Sequence, residues 1–303
     1  MYKKLILILS LLCMAQAVQA NIRIFACEPE WAALASELGG NKVDIYQATS
    51  AFQDPHHIEA RPSLIAKMRR ADMLVCTGAG LEEGWLPLVI RQSANQKVLP
   101  GQPGHFEAAM QIPRLDIPET VDRQHGDVHP QGNPHVHLDP RRLIIIARAL
   151  TTRLGKVDAA ELDYYQQRLT MFEAKWNKAI QRWEQQAEPL KGINVAVYHK
   201  DWLYLFDWLK INIAATLEPR PGIAPSAGYL ASLKSELKTN PARMVVYASY
   251  QSDRAANWLG QQLKYPVVKL PYTVGGSEDT KSLVDLFDVT INRMLSALQN
   301  HDD

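Results

Sequence analysis

Two histidines stand two residues apart in NPHVHLDP, residues 133–140. A neutral imidazole is the commonest protein ligand for zinc and copper, so His135 and His137 invite a search for partners. Prolines on both sides stiffen the backbone that carries them. Asp139-Pro140, followed by an apolar run from Leu143 to Leu150, reads as an N-cap and a first helical position. Both imidazoles therefore sit on a constrained loop just ahead of a helix. Three further metal-competent groups come from elsewhere. His56 lies beside His57 in the polar loop AFQDPHHIEARPS, His199 follows the apolar stretch Ile193–Tyr198, and Glu218 opens LEPRPG. Each has an alternative reading. His56 and His57 could be solvated loop residues, His199 a helix-capping or core histidine, and Glu218 an exposed turn residue. His105, His125, His129 and His301 read as solvated.

The elements that must position these groups alternate. Strands are expected at Ile22–Ala26, Val43–Ala48, Met73–Cys76 and, briefly, Val98-Leu99. Helices are expected at Pro29–Leu38 and Pro62–Arg70. Residues 100–132 read as a mobile, histidine-containing surface loop, followed by a helix capped at Gly155. Residues 158–188 form the clearest helix, its apolar residues repeating every three or four from Leu162 to Ala187. Asp158 and Glu161 suggest a capping box, and the expected length is about 45 Å. Alternation then restarts, with strands at Ile193–Tyr198, Ile211–Thr216, Arg243–Ala248 and Pro266–Leu270. Helices cover Asp201–Leu209, Ala227–Leu237, Asp253–Leu263 and 281–298. The expected fold is thus α/β: two parallel-sheet lobes, residues 21–155 and 189–303, with helices on both faces. One long rigid helix would join them. In such sheets ligand sites lie beyond the carboxyl ends of strands. That rule brings His56, His135, His199 and Glu218 toward one cleft between lobes.

Lys3 and Lys4, an apolar stretch from Leu5 to Val18, and Val18-Gln19-Ala20 form an export signal with cleavage expected after Ala20. A lipid anchor at Cys13 is the rival, but Leu12 is too large for a usual lipobox. Loss of Cys13 leaves Cys27 and Cys76, each at a strand's end, as either a disulfide or two buried thiols. The balance of 33 basic and 32 acidic residues gives no reason to expect nucleic acid or an anionic surface as partner.

The chain resembles the substrate-binding proteins of zinc/manganese ABC importers, the metal-specific cluster A-I family (ZnuA-like or TroA-like). Four motifs carry the likeness in order around the long helix: DPHHIEARPS, GAGLEEGWL, NPHVHLDP and YHKDWLYLF. It covers nearly all of the mature chain. The resemblance implies metal ligands at His56, His135 and His199. It puts His57 at a variable position and His137 where relatives often carry an aromatic residue. Many relatives add an aspartate from the loop after the last strand. Here that loop reads PYTVGGSED and offers Val274 or Gly275, with Glu278 or Asp279 reachable only by a shift. Glu218 is then the better fourth ligand, with water the remaining choice. Three histidines and one carboxylate suit Zn2+, which takes four ligands tetrahedrally. The implied function is periplasmic capture of zinc by a monomer that delivers it to a membrane ABC permease, with no bond chemistry. His125 and His129 would catch zinc transiently. A zinc-dependent hydrolase is the main alternative, though no HExxH is present. A manganese or iron carrier of the same family is another.

Overall fold

The structure, a computed structural model, describes residues 20–118 and 129–302. Residues 1–19, within the expected export signal, and His125 lie outside them. The order is β1 (Ile22–Ala26), α1 (Pro29–Gly39), β2 (Val43–Gln47), α2 (Pro62–Arg70), β3 (Met73–Cys76), α3 (Leu86–Ser93), β4 (His105–Glu107), α4 (Pro140–Val157) and α5 (Leu162–Gln186). Then come β5 (Asn194–Val197), α6 (Leu203–Leu209), β6 (Asn212–Thr216), α7 (Ala227–Thr239), β7 (Val245–Ala248), α8 (Arg254–Leu263), β8 (Val267–Leu270) and α9 (Leu283–Asp302). The strands form two four-stranded sheets, β2-β1-β3-β4 and β6-β5-β7-β8. All pairings are parallel. A parallel pair needs a crossover of a dozen or more residues, which explains the helix-bearing connections. Both sheets share one order, so each has its switch point beside its first strand.

The period-two pattern of the strands divides the interior. Ile22, Ile24 and Ala26 of β1, with Val195 and Val197 of β5, face one continuous core shared by both sheets. Phe25 and Cys27 turn the other way, onto Leu64, Met68 and Trp85. Ala196 and Tyr198 do likewise, onto Leu230 and Leu259. Helix α5 runs through the shared core, packing on α1 and α4 and on α9. Trp176 and Trp183 meet edge to face, and Phe287 of α9 packs against both.

Several expectations need correction. Residues 96–98 form a 3-10 turn. The fourth strand is instead His105–Glu107, inside the stretch read as loop, paired through Leu74↔His105. Its sequence, HFE, has no β-branched residue to announce it. Helix α3 was not anticipated behind Trp85. Helix α4 continues through Gly155 to Val157. There the bare Cα lets Leu162 close in, so Gly155 serves close packing, not a cap. The capping box does not form. Asp158 accepts the Tyr165 hydroxyl at 3.1 Å, and residues 159–161 make a 3-10 turn. Helix α5 therefore has 25 residues, about 37 Å at the α-helical rise.

Cys27 and Cys76 close the ends of neighbouring strands β1 and β3 in a disulfide, with Cα atoms 4.8 Å apart. Among the described residues no helix is long and apolar enough to cross a membrane.

Candidate metal centre

The carboxyl ends of both sheets carry the site. His56 lies on the loop after β2, His129 and His135 between β4 and α4, His199 and Asp201 after β5, Glu218 after β6, and Tyr272 after β8.

The DPHH loop is fixed from two sides. Trp85 Nε1 donates to the Pro55 carbonyl at 3.1 Å. Gly84 passes so near the His56 carbonyl that a Cβ there would stand 2.9 Å from it. That contact gives the glycine and tryptophan of GLEEGW a shared reason. Asp54 Oδ1 receives the His56 backbone N–H at 3.0 Å and takes the ring Nδ1 at 2.7 Å. Burial pushes the Asp54 carboxyl up, but these bonds and the nearby imidazoles bring it below its ordinary value. A His whose Nδ1–H is so held offers Nε2 as a ligand.

In NPHVHLDP the expected cap is present: Asp139 accepts from the Arg141 N–H at 2.9 Å. Asn133 does more than start the motif. Its Oδ1 receives the His135 N–H at 3.0 Å, and its Nδ2 donates to the Lys200 carbonyl at 2.9 Å. The His135 loop is thereby tied to the His199 loop. His135 Nδ1 lies 2.8 Å from the Tyr272 hydroxyl. His135 Nε2 is buried with no hydrogen-bond partner. Burial, then the charges of neighbouring imidazoles, holds His135 well below the usual histidine range, so it is neutral.

His137 goes elsewhere. Its Nε2–H donates to the Tyr272 carbonyl at 2.9 Å, and its Nδ1 stands 3.3 Å from Glu30 Oε1. Thr273 donates to the other Glu30 oxygen at 2.5 Å. The HxH pair is thus split. One ring faces the cleft, and the other donates to the β8–α9 loop beside Glu30 of α1.

His199 has its Nδ1 on Glu218 Oε2 at 2.8 Å. That oxygen also accepts from the Gly222 N–H at 3.1 Å. Burial alone would lower the His199 pKa, but Asp201 and Glu218 raise it above the ordinary value. Glu218 therefore occupies the ring nitrogen turned from the cleft. Among the described residues it is not one of the groups whose ligand atoms converge.

Two overlapping sets do converge: His56, His129 and His135, and His135, His199 and Asp201. Within each, one ligand atom per residue lies within 4.8 Å of the others. His56 and His135 rings are 5.7 Å apart, His56 and His199 5.9 Å, and His135 and His199 5.4 Å. The three histidines expected from distant sequence thus meet. The loop expected to be the source of a family aspartate supplies Tyr272 instead. His129, read as a transient or solvated histidine, faces His56 Nε2 to Nε2 at 3.1 Å. Burial first, then the His56 and His199 charges, lowers its pKa to about 3. Asp201, the first residue of the expected helix Asp201–Leu209, joins the cluster instead, and its place two residues beyond His199 is the signal that points to it. A cavity of about 160 Å³ opens beside the cluster, lined by Asp54, His56, His199, Glu218 and Tyr250 among others. Neutral imidazoles and a carboxylate in a part-dry cleft can bind a divalent ion of the transition series.

Comparison with known proteins bears on the family and the fold. The family model described as "Zinc-uptake complex component A periplasmic" matches residues 24–297. The zinc-binding lipoprotein AdcA of Streptococcus pneumoniae (strain ATCC BAA-255 / R6) is 22% identical over 271 residues, 88% of this chain and 53% of its own length. The manganese ABC transporter substrate-binding lipoprotein PsaA of Streptococcus pneumoniae is 23% identical over 155 residues, 50% of this chain and 47% of its own. The chain thus spans about half the length of these curated relatives. A crystal structure of ZnuA superposes with a TM-score of 0.76 at 22% identity, covering 91% of this chain and 99% of that one.

Proposed function

This chain belongs to the periplasmic zinc-uptake component A family, and from that premise we propose that it captures Zn2+ in the cleft between its sheets and delivers it to a membrane ABC permease. His56, His135 and His199 bind the ion through Nε2. Glu218, Asp54 and Tyr272 hold the three rings in the tautomer that leaves Nε2 free. One observation carries the reading. His135 Nε2 is fully buried and unpartnered, at the point where ligand atoms from three loops converge. An unmatched buried lone pair costs free energy unless an ion fills the gap.

The donor set favours zinc among divalent ions. Imidazole suits zinc, whereas manganese prefers oxygen ligands and a higher coordination number. The ion is cargo, so the site needs equilibrium chelation and reversible release, not turnover. Export to the periplasm rests on the N-terminal leader, and the Cys27–Cys76 disulfide suits an oxidising space. The chain would act as a monomer.

The test is a chelator-competition titration of the metal-free protein with zinc, manganese and iron(II). Zinc should bind most tightly, with one ion per chain in the cleft. Its affinity should fall as pH drops through the ordinary histidine range, where protons compete first for His199, whose pKa lies above its ordinary value, and then for the other imidazoles. Stronger binding of manganese than zinc would replace the zinc reading with the manganese-carrier one. Affinity that does not change between pH 8 and pH 5 would remove the histidine site itself.

A further inference from the structure

We propose that Asp201 Oδ1 is the fourth ligand of the ion, taking the place that the β8–α9 loop leaves without a carboxylate. The proposal rests on the cleft being a metal site, and it names the residue that completes it.

Asp201 is fully buried, and both its oxygens are already oriented. Tyr250 donates to Oδ1 at 2.9 Å and Gln251 Nε2 to Oδ2 at 2.8 Å. Oδ1 retains a lone pair. It stands 3.6 Å from His135 Nε2, which has no hydrogen-bond partner. In the tautomer that metal ligation requires, His135 carries its proton on Nδ1, 2.8 Å from the Tyr272 hydroxyl, and Nε2 is an acceptor. Two buried acceptors then face each other with no proton between them. Such a pair is costly unless a cation lies between.

The spacing is that of a coordination edge. Ligands at about 2.0–2.1 Å from a tetrahedral zinc ion lie about 3.3 Å from one another. The 3.6 Å between Oδ1 and Nε2 is near that edge and beyond an ordinary hydrogen bond. His199 completes the same triad, and its ring centroid lies 5.9 Å from that of His56. Charge gives the same answer. Three imidazoles leave a buried dication uncompensated, whereas one carboxylate halves the charge the cleft must desolvate. Sequence order gives a reason for the position. Asp201 follows His199 by two residues, on the turn that starts the β5–α6 connection. Both ligands are therefore set by the same strand end.

His129 is the competitor. It belongs to the other triad, with His56 and His135. A tetrahedral ion that takes three histidines has one place left, for Asp201 or for His129.

A zinc-loaded crystal of the wild-type protein, with anomalous data at the zinc edge, decides directly. The expected result is Zn–Oδ1 of Asp201 near 2.0–2.2 Å, with His129 Nε2 unbound. An ion bound by four imidazoles, with Oδ1 more than about 3 Å away, overturns the proposal. In solution, Asp201→Asn keeps the shape and the Tyr250 bond. It should weaken zinc at least tenfold and leave three imidazoles in the X-ray absorption spectrum, while His129→Gln should change affinity less than threefold. The reverse ranking also overturns it. If the metal-site reading itself is wrong, wild type will bind no zinc and His135→Ala will change nothing. That pattern is distinct from a failure of Asp201 alone.

Discussion

Replacing Tyr272 with Phe tests whether the cleft is set in advance for metal. The substitution removes one oxygen, 2.8 Å from His135 Nδ1. It leaves the ring in place against His135, His137 and Tyr250. In the metal-free variant His135 is free to move its proton to Nε2, which relieves the buried N–H. Metal binding then demands Nε2 as ligand and drives the proton back to Nδ1, against a ring that cannot accept it. The cost falls mainly on the bound state. A buried donor left unmatched costs ~1–3 kcal/mol, about 5- to 150-fold in affinity. Loss of the partner that orients a metal-bound histidine costs about 10- to 100-fold. Both routes give a zinc Kd raised by between one and two orders of magnitude. Competition against a chelator of known zinc affinity reads this directly, and thermal unfolding of the metal-free variant confirms that it folds. A Kd within twofold of wild type would refute the argument. A tighter Kd would show that the Tyr272 hydroxyl donates to His135 and holds the opposite tautomer.

The HxH pair should separate under mutation: His135→Ala should abolish tight zinc binding with little loss of fold stability. His137→Ala removes the ring that donates to the buried Tyr272 carbonyl and packs against Trp31 and Tyr272, and should cost ~1–3 kcal/mol of stability with a smaller change in Kd; melting curves beside titrations check both. Replacing Cys27 and Cys76 together by Ala opens a cross-link spanning 49 residues. Chain entropy puts the loss at about 4 kcal/mol, or roughly 8–16 °C in Tm, with zinc affinity nearly unchanged; a loss below ~1 kcal/mol would contradict the estimate. Burial raises the Glu82 pKa from 4.5 to about 7, where it accepts the Thr77 and Gly78 N–H groups at 2.7 and 3.0 Å. Its stabilisation is therefore complete below pH 4.5 and is lost as pH rises to about 7, a change of ~3 kcal/mol. Denaturant unfolding of the metal-free protein should show wild type losing that much relative to Glu82→Gln across this window. A constant difference between the two would exclude the shift.

What the sequence revealed followed the kind of information each residue carries. His56, His135 and His199 were legible because strand-end position and short motifs decide which loop a side chain occupies. The contacts of Glu218 and Asp201 were not, because they depend on how the His199 and His135 rings are turned. That is a matter of ring orientation, set by the Glu218 bond at 2.8 Å and absent from any spacing rule. The two carboxylates sit 17 positions apart in chain and on opposite sides of one imidazole's function. Tyr272 was invisible for a related reason. Its hydroxyl lies 2.8 Å from His135 Nδ1, a contact between distant loops that no motif announces. Among the elements, amphipathic helices and hydrophobic strands were readable from periodicity. The fourth strand was not, since HFE is too short to show a period and is held by pairing with β3. The start of α5 was misread because Asp158 serves the Tyr165 hydroxyl in place of a backbone cap.

The shared core beneath the two sheets has a consequence for how this chain can change over time. Each sheet finishes its outer face alone, but its inner face is completed by apolar residues that also serve the other sheet. The repeat of strand order invites a picture of two interchangeable modules, yet neither half encloses a complete interior. A substitution on the buried stripe of α5, at Trp176 or Trp183, is felt by both halves at once. Selection on such positions acts on the whole molecule. Variation is freest where only one half reads it, on the outer helices α2, α3, α7 and α8, and the two halves can diverge there while their common seam stays fixed.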